Sequence, residues 1–503
     1  MRRDKLGQGV LAYLGDRWYT SPVARRRWTL VAVIVALGAC AWVMGASGFA
    51  GARTSVRASA SAVASTCASP QVLAPRDPTN PLALPTAPGE DPLHGAHFFV
   101  DGPRHGVVAQ AIESLLGLSN GSYTDSDTWL MFKQQVLGRL GSVSAATAHK
   151  VMELIKIGDQ EETQSISSYS EGGGYQGVSG QVTKILCDNM SADPTVPDVP
   201  VLTTFFAYPK GQFCPNADAL ASWWPTHQPP GDYSPSQLRQ MTSYFRPDVL
   251  GMKNAIGSAR AVILIEIDSI GTIGCLCKKP PWPPPNFTKP VSGTCLLWLR
   301  ELWYEATQFA QLPHQVSYME AGSWDEGDAH DTAEYLIDAG IQKVRGFFTN
   351  DTHFNWSSNE IARASGGSYR GVSYPVGVSR WVTKLLAQLG RGRYVPSYVV
   401  NTAQNGRGPK LNSDPVKEGV EDLCNPSGRG LGREPTGDVT PTFDGFKFPF
   451  LDGFLWTGVP GRSHGTNCGP GSAPAGVFDV NFAVELATNA NQRLGPGYPS
   501  LPY

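Results

Sequence analysis

From about Pro92 onward, short apolar runs alternate with longer stretches of helical period. The runs are His97–Val100, Val201–Ala207, Ala261–Ile267, Gln315–Met319, Lys343–Phe348, Tyr398–Asn401 and Gly453–Thr457. The helical stretches include Val107–Leu116, Leu130–Leu140, Ser236–Ile256, Cys295–Leu312, Thr332–Ala339 and Gly377–Leu389. Runs that are apolar throughout, rather than at every second position, are strands covered on both faces. Strands of that kind alternating with helices predict a mostly parallel α/β sheet or barrel.

The first 92 residues read differently. Residues 1–27 carry Arg2, Arg3, Lys5, Arg17, Arg25, Arg26 and Arg27 against Asp4 and Asp16, a local charge of +5. An uncharged run follows from Trp28 to Ala50, close to the roughly 20 residues that cross a bilayer as a helix. The basic flank places 1–27 in the cytoplasm and the remainder outside. A retained signal anchor over 28–50 is the favoured reading, with a cleaved signal peptide as the alternative. Residues 51–92 are rich in Ala, Ser, Thr and Pro and read as a stalk. The predicted organisation is therefore a basic segment (1–27), an anchor or signal (28–50), a stalk (51–92) and one catalytic-type domain (93–503).

Composition narrows the class. The 503 residues include only 17% charged side chains, carry a formal charge of −2, and are 41% hydrophobic. Gly and Pro together number 95. These values exclude a disordered acidic chain, a highly basic nucleic-acid binder and a coiled coil. They suit a loop-rich domain outside the cytoplasm, and the nine cysteines fit an oxidising compartment. Cys40 lies inside the apolar run; the other eight could form bridges, with the pairing of Cys67 and Cys187 open. The insertion Lys278–Thr294 holds six prolines and is bracketed by Cys277 and Cys295, so a disulfide at its base is expected. Cys275-Leu276-Cys277 is too tight for a zinc knuckle and has no histidine beside it, so neither metal nor cofactor is predicted.

The segment richest in chemistry is Ala261-Val-Ile-Leu-Ile-Glu266-Ile-Asp268. Alternation along a strand would put both carboxylates on one face, roughly 6–7 Å apart, at the strand end where α/β barrels keep their sites. Like charges held together raise one pKa, which equips an acid to protonate a leaving group. The alternative is that one acid pairs with an arginine or caps the next loop. Glu320 ends a second run, ahead of Trp324-Asp325-Glu326-Gly327-Asp328, which otherwise reads as a solvated loop with Asp328 or Asp331 capping a helix. Gly461-Arg462-Ser463-His464-Gly465 fits G-x-S-x-G, but the Thr466–Pro474 stretch that follows cannot form the helix a nucleophile elbow requires.

Six motifs in order resemble glycoside hydrolase family 6, the inverting cellulases. V-I-L-E-P-D-[AS]-L is similar to Ile263–Ile270, and Y-L-D-A-G-H to Tyr318–Ser323. G-F-x-x-N-V-S-N is similar to Gly346–His353, and D-T-S-R-N-G-x-G-P to Asn401–Pro409. C-N-P-P-G-R-A-L-G-x-x-P-T resembles Cys424–Thr436, and D-A-F-L-W-x-K-x-P-G-E-S-D-G resembles Asp452–Gly465.

The resemblance implies a distorted parallel (β/α) barrel of about seven strands with a cleft across the strand ends. It implies hydrolysis of β-1,4-glucosidic bonds with inversion, Asp268 being the general acid. Around it stand Glu266, Glu320 and His464 as further catalytic candidates. Asn350, Asn401, Asn425, Trp324, Trp456 and Arg462 are the candidate sugar contacts. The implied disulfides join Cys214 to Cys275 (or Cys277) and Cys424 to Cys468. The expected partners are cellulose or another β-glucan and, through the N-terminal segment, a membrane; nucleic acid is not expected.

The departures from the pattern bear on mechanism. Phe213 stands where the family has an aspartate before cysteine, and Arg462-Ser463-His464 replaces E-S-D. Gly458 replaces a lysine, Asn401 and Gln404 replace the acid and base of D-T-S-R, and Leu423 replaces a sugar-stacking tryptophan. His464 is then the candidate proton acceptor, an unperturbed histidine titrating near 6.5. The competing expectations are a catalytically inactive β-glucan-binding protein at the cell surface and a different glycosidic specificity on the same fold.

Overall fold

The computed structural model describes residues 91–98, 106–119, 129–160, 164–166, 177–192, 198–206, 235–270, 293–323, 328–351, 370–410, 425–439, 450–463 and 476–490. A few short pieces between these are described as well. The anchor and stalk readings over residues 1–90 lie outside the described residues. Among the described residues no helix is long and apolar enough to cross a membrane.

Seven strands form one wholly parallel sheet in the order β1 (Gln164–Ile166), β2 (Val201–Thr204), β3 (Ala261–Ile265), β4 (Gln315–Glu320), β5 (Gly346–Thr349), β6 (Ser397–Asn401) and β9 (Leu451–Leu455). A two-stranded hairpin, β7 (Thr442–Phe443) with β8 (Phe446–Lys447), lies outside it. Nine helices accompany the strands among the described residues. These are α1 (Val107–Leu115), α2 (Trp129–Arg139), α3 (Ala145–Gly158), α4 (Gly177–Ala192), α5 (Pro235–Ile256), α6 (Thr294–Phe309), α7 (Ala329–Asp338), α8 (Arg370–Gln388) and α9 (Val480–Thr488). Six of the seven apolar runs overlap a strand of this sheet, and His97–Val100 contributes a single parallel bridge from Phe98 to Val199.

Strand residues alternate between two apolar layers, as period-two geometry requires. Leu202, Ile263, Ile265, Met319, Phe347, Tyr398 and Phe454 pack against helical residues such as Met252, Leu302, Leu336 and Val382. Val201, Val262, Leu264, Val316, Tyr318, Phe348, Val399 and Leu455 meet one another on the other face, with Leu93 and Phe98 added. That second layer is the inside of a barrel-type sheet, filled by side chains rather than left as a pore. Among the described residues, β1 and β9 are the two edges and do not pair, so the expected barrel is a parallel sheet open at that seam. A third cluster joins α1, α2, α3 and α9 to Phe354, Ala403, Leu431 and Trp456 beside the β6 and β9 ends.

The expected disulfide between Cys277 and Cys295 is present, with a Cα–Cα distance of 5.1 Å. It ties the chain leaving β3 to the start of α6, and it removes Cys277 as a mate for Cys214. The implied pairs Cys214–Cys275 and Cys424–Cys468 lie outside the described residues, as do Phe213, Trp324, Leu423 and His464.

Candidate active site

In a parallel sheet, the loops leaving the C-terminal strand ends share one rim. The register brings the ends of β3 to β9 level, with Ile265 beside Met319, Glu320 beside Phe348, Thr349 beside Val400 and Asn401 beside Leu455. The residues just past these ends are therefore neighbours whatever their separation in sequence.

Strand β3 stops at Ile265, one residue short of the acids. Glu266 and Asp268 both take left-handed backbone angles, with φ of 50° and 58°, which non-glycine residues rarely adopt. Strand alternation no longer applies there. Glu266 is buried, its Oε1 accepting from the Phe206 amide at 2.8 Å while its own amide donates to Thr204 Oγ1 at 2.8 Å. Its charged neighbour is Glu305 of α6, a fully buried carboxyl held well above the usual range by burial and then by the Glu266 charge. A like-charge pair thus joins Glu266 to a helix residue. Asp268 instead lies half-buried on the turn.

Glu320, the last residue of β4, anchors that turn from the side. Its Oε2 accepts from the Ile270 amide at 2.6 Å, two residues beyond Asp268, and its Oε1 accepts from the Gly322 amide. Both oxygens are thereby engaged by backbone donors, and the residue is 2% exposed. Its place is that of a clamp joining the β3 and β4 loops.

At the ends of β5, β6 and β9 the polar groups interlock. Asn401 Nδ2 donates to the carbonyls of Asn350 (2.9 Å) and Asp351 (2.6 Å), and its Oδ1 accepts from the amides of Ala403 (3.0 Å) and Thr457 (3.2 Å). Asn350, itself at φ 71°, returns the contact by donating to the Asn401 carbonyl at 2.8 Å. These amides staple three strand ends together, so the structure places both among the rim's buried supports. Asp351 completes the group, its Oδ1 accepting from Thr457 Oγ1 at 2.6 Å. The sequence reading passed over Asp351 because it occupies a valine position in the motif; its signal was a lone acid three residues past an apolar run.

The remaining candidates scatter. Trp456 is 1% exposed, belongs to the third core cluster and donates from Nε1 to the Arg433 carbonyl at 2.9 Å, the position of a core residue. Asn425 donates to Ser463 Oγ at 3.1 Å, and Ser463 in turn donates to the Ala473 carbonyl, so that serine is a loop fastener. Arg462 is exposed and donates to the Gly476 carbonyl. Asp328, His330 and Asp331 bring metal-type ligand atoms within 4.8 Å of one another, yet Asp328 serves as the N-cap of α7 by accepting from the His330 amide.

A parallel α/β sheet with carboxylates clustered past its C-terminal strand ends defines a class of enzyme-type scaffolds that work by acid–base chemistry. Residues 237–490 match the model of glycosyl hydrolases family 6, and the chain belongs to that family. It is 30% identical over 264 residues to endoglucanase 1 of Streptomyces halstedii, covering 52% of this chain and 63% of that protein. Its fold is similar to that of the endoglucanase Cel6 from Mycobacterium tuberculosis, solved with a thio-linked cellobioside (TM-score 0.51, 20% identity, covering 80% of this chain and all of that one). It is also similar to the catalytic core domain of the cellobiohydrolase Cel6A from Chaetomium thermophilum (TM-score 0.52, 18% identity, covering 80% and 99%).

Proposed function

We propose that this protein hydrolyses β-1,4-glucosidic bonds in cellulose or a related β-glucan with inversion, Asp268 being the general acid. The observation that carries the reading is the Asp268 turn, held in a left-handed conformation by Glu266 on one side and by the Glu320–Ile270 contact on the other. Rigid presentation of a carboxylic acid past a strand end is what protonation of a glycosidic oxygen requires. Family membership and the similarity to cellulases support β-glucan as the substrate class. The Cys277–Cys295 disulfide supports placement outside the cytoplasm, either secreted or anchored through residues 28–50.

The test is release of soluble sugar from cello-oligosaccharides. Wild type should turn over, and Asp268→Asn should lose about 100-fold or more in kcat on unactivated substrates. Binding of cello-oligosaccharide by wild type without turnover would replace this reading with that of a β-glucan-binding protein. An unchanged rate in Asp268→Asn would overturn the assignment of the acid.

A further inference from the structure

The helix that follows the acid turn carries a carboxyl where its pattern calls for a core residue. On α6, Trp298, Leu302 and Phe309 recur at helical spacing as one buried stripe, and Glu305 occupies that stripe between Leu302 and Phe309. Glu305 is fully buried, and neither of its oxygens has a hydrogen-bond partner. The Thr204 hydroxyl is close enough to favour its charged form, but without the geometry of a hydrogen bond. Cations of α5 and α6 serve other groups: Arg246 and Arg300 bind Glu301, and Lys253 binds Gln308 and Gln311. An ionised carboxylate in that setting is a bare buried charge. A carboxylic acid, by contrast, brings a donor of its own.

Resting on the hydrolase reading above, we propose that Glu305 is a positioning residue for the acid: it stays protonated and donates that proton to the Glu266 carboxylate, at the foot of the Asp268 turn. Glu266 is the joint between β2 and β3. Its Oε1 accepts from the Phe206 amide at 2.8 Å, and its amide donates to Thr204 Oγ1 at 2.8 Å. It is also the first of the two left-handed residues, Asp268 being the second. Burial first, and the Glu266 charge second, keep the proton on Glu305. Two like charges sharing a site closed to water force one carboxyl to remain an acid. One proton between the two leaves the pair with a single negative charge, and a hydrogen bond to a charged acceptor in a dry interior is a strong one. That bond fastens α6 to the strand end that carries the acid.

Glu305→Gln and Glu305→Met separate donation from space-filling, since both keep the length of the side chain but only the amide can donate to Glu266. On cellohexaose, Glu305→Gln should stay within about threefold of wild type in kcat, and Glu305→Met should lose about tenfold or more with KM nearly unchanged. On 2,4-dinitrophenyl β-cellobioside, whose leaving group needs no acid, Glu305→Met should stay within about threefold of wild type. Infrared difference spectra of wild type against Glu305→Gln at neutral pH should show a carboxylic-acid C=O band that the variant lacks.

Glu305→Met as fast as Glu305→Gln on cellohexaose overturns the positioning role while leaving the hydrolase reading intact, and so does an equal loss in both variants. A loss in Glu305→Met that is as large on the activated substrate, or that is confined to KM, also overturns it, because the fold rather than the acid has then been disturbed. Absence of the acid C=O band from wild type overturns the shared proton. Wild type inactive on both substrates overturns the hydrolase reading and the positioning role with it. The infrared band reads the proton without turnover, so the two failures are told apart.

Discussion

Asp91 is a carboxyl held out of its ordinary range at the end of the sheet away from Asp268. It accepts from the Leu93 amide at 2.8 Å and lies near Asp452, which is bound by Arg345 through Nε and Nη2 at 2.8 Å each and by the Tyr318 hydroxyl at 2.8 Å. Burial first, and the Asp452 charge second, push Asp91 up to about 7, against the lowering effects of the Leu93 amide and Arg345. A folded-state pKa raised above that of the unfolded chain means the native protein binds the extra proton. The stability this confers is fully present at low pH and is lost as the pH rises from about 4 through 7. Asp91→Asn keeps an acceptor for Leu93 and abolishes the titration. Chemical denaturation should therefore show the variant gaining on wild type between pH 4 and pH 8, by about 2 kcal/mol once partial exposure is discounted. A difference that does not change with pH would show that Asp91 ionises freely.

The loops leaving β3 and β4 act as one element because Glu320 joins them. Replacing it with Gln keeps the length but turns one of two acceptors into a donor facing a backbone amide. Leaving the Ile270 or Gly322 amide without an acceptor costs about 1–3 kcal/mol. Urea denaturation of Glu320→Gln should register that loss, and kcat should fall with it as the Asp268 turn loosens. Unchanged stability would mean that solvent satisfies those amides equally well. This element also marks how far local pattern carries. The strands themselves were legible, because burial on both faces writes continuous apolar runs into the chain. The orientation of Glu266 was not, since the two departures from strand geometry, at Glu266 and Asp268, sit among tertiary partners: Thr204, Phe206 and Glu320. The helices α3, α4 and α9 and the three-residue strand β1 were missed for a related reason. Their stability comes from packing against elements distant in sequence, as in the cluster that α3 and α9 share.

At the scale of the whole molecule, β1 and β9 are unpaired edges among the described residues, so the connections between strands and helices help to hold the sheet's curvature. Sequence could place the strands but not decide closure, because pairing of the edges depends on the register of the entire sheet. The connection from β3 to α6 is a long one, residues 266–293. It carries Asp268 at its start, and the Cys277–Cys295 bridge closes it over 18 residues. Cys277 is also held inside the fold, its amide donating to the Ile273 carbonyl and its own carbonyl accepting from the Tyr335 hydroxyl of α7 at 3.0 Å. The bridge therefore constrains a long loop without being needed to place its inner end. Chain-entropy reasoning for a loop of this length gives about 3 kcal/mol of stabilisation, acting through the unfolded state. A double Cys277→Ser, Cys295→Ser variant should melt roughly 4 °C lower than wild type, the entropy of unfolding being large for a domain of this size. Its kcat at moderate temperature should stay within about threefold, because Glu266 and Glu320 hold the Asp268 turn independently of the bridge. A collapse of kcat in a variant that is still folded would show instead that the disulfide sets the geometry of the acid.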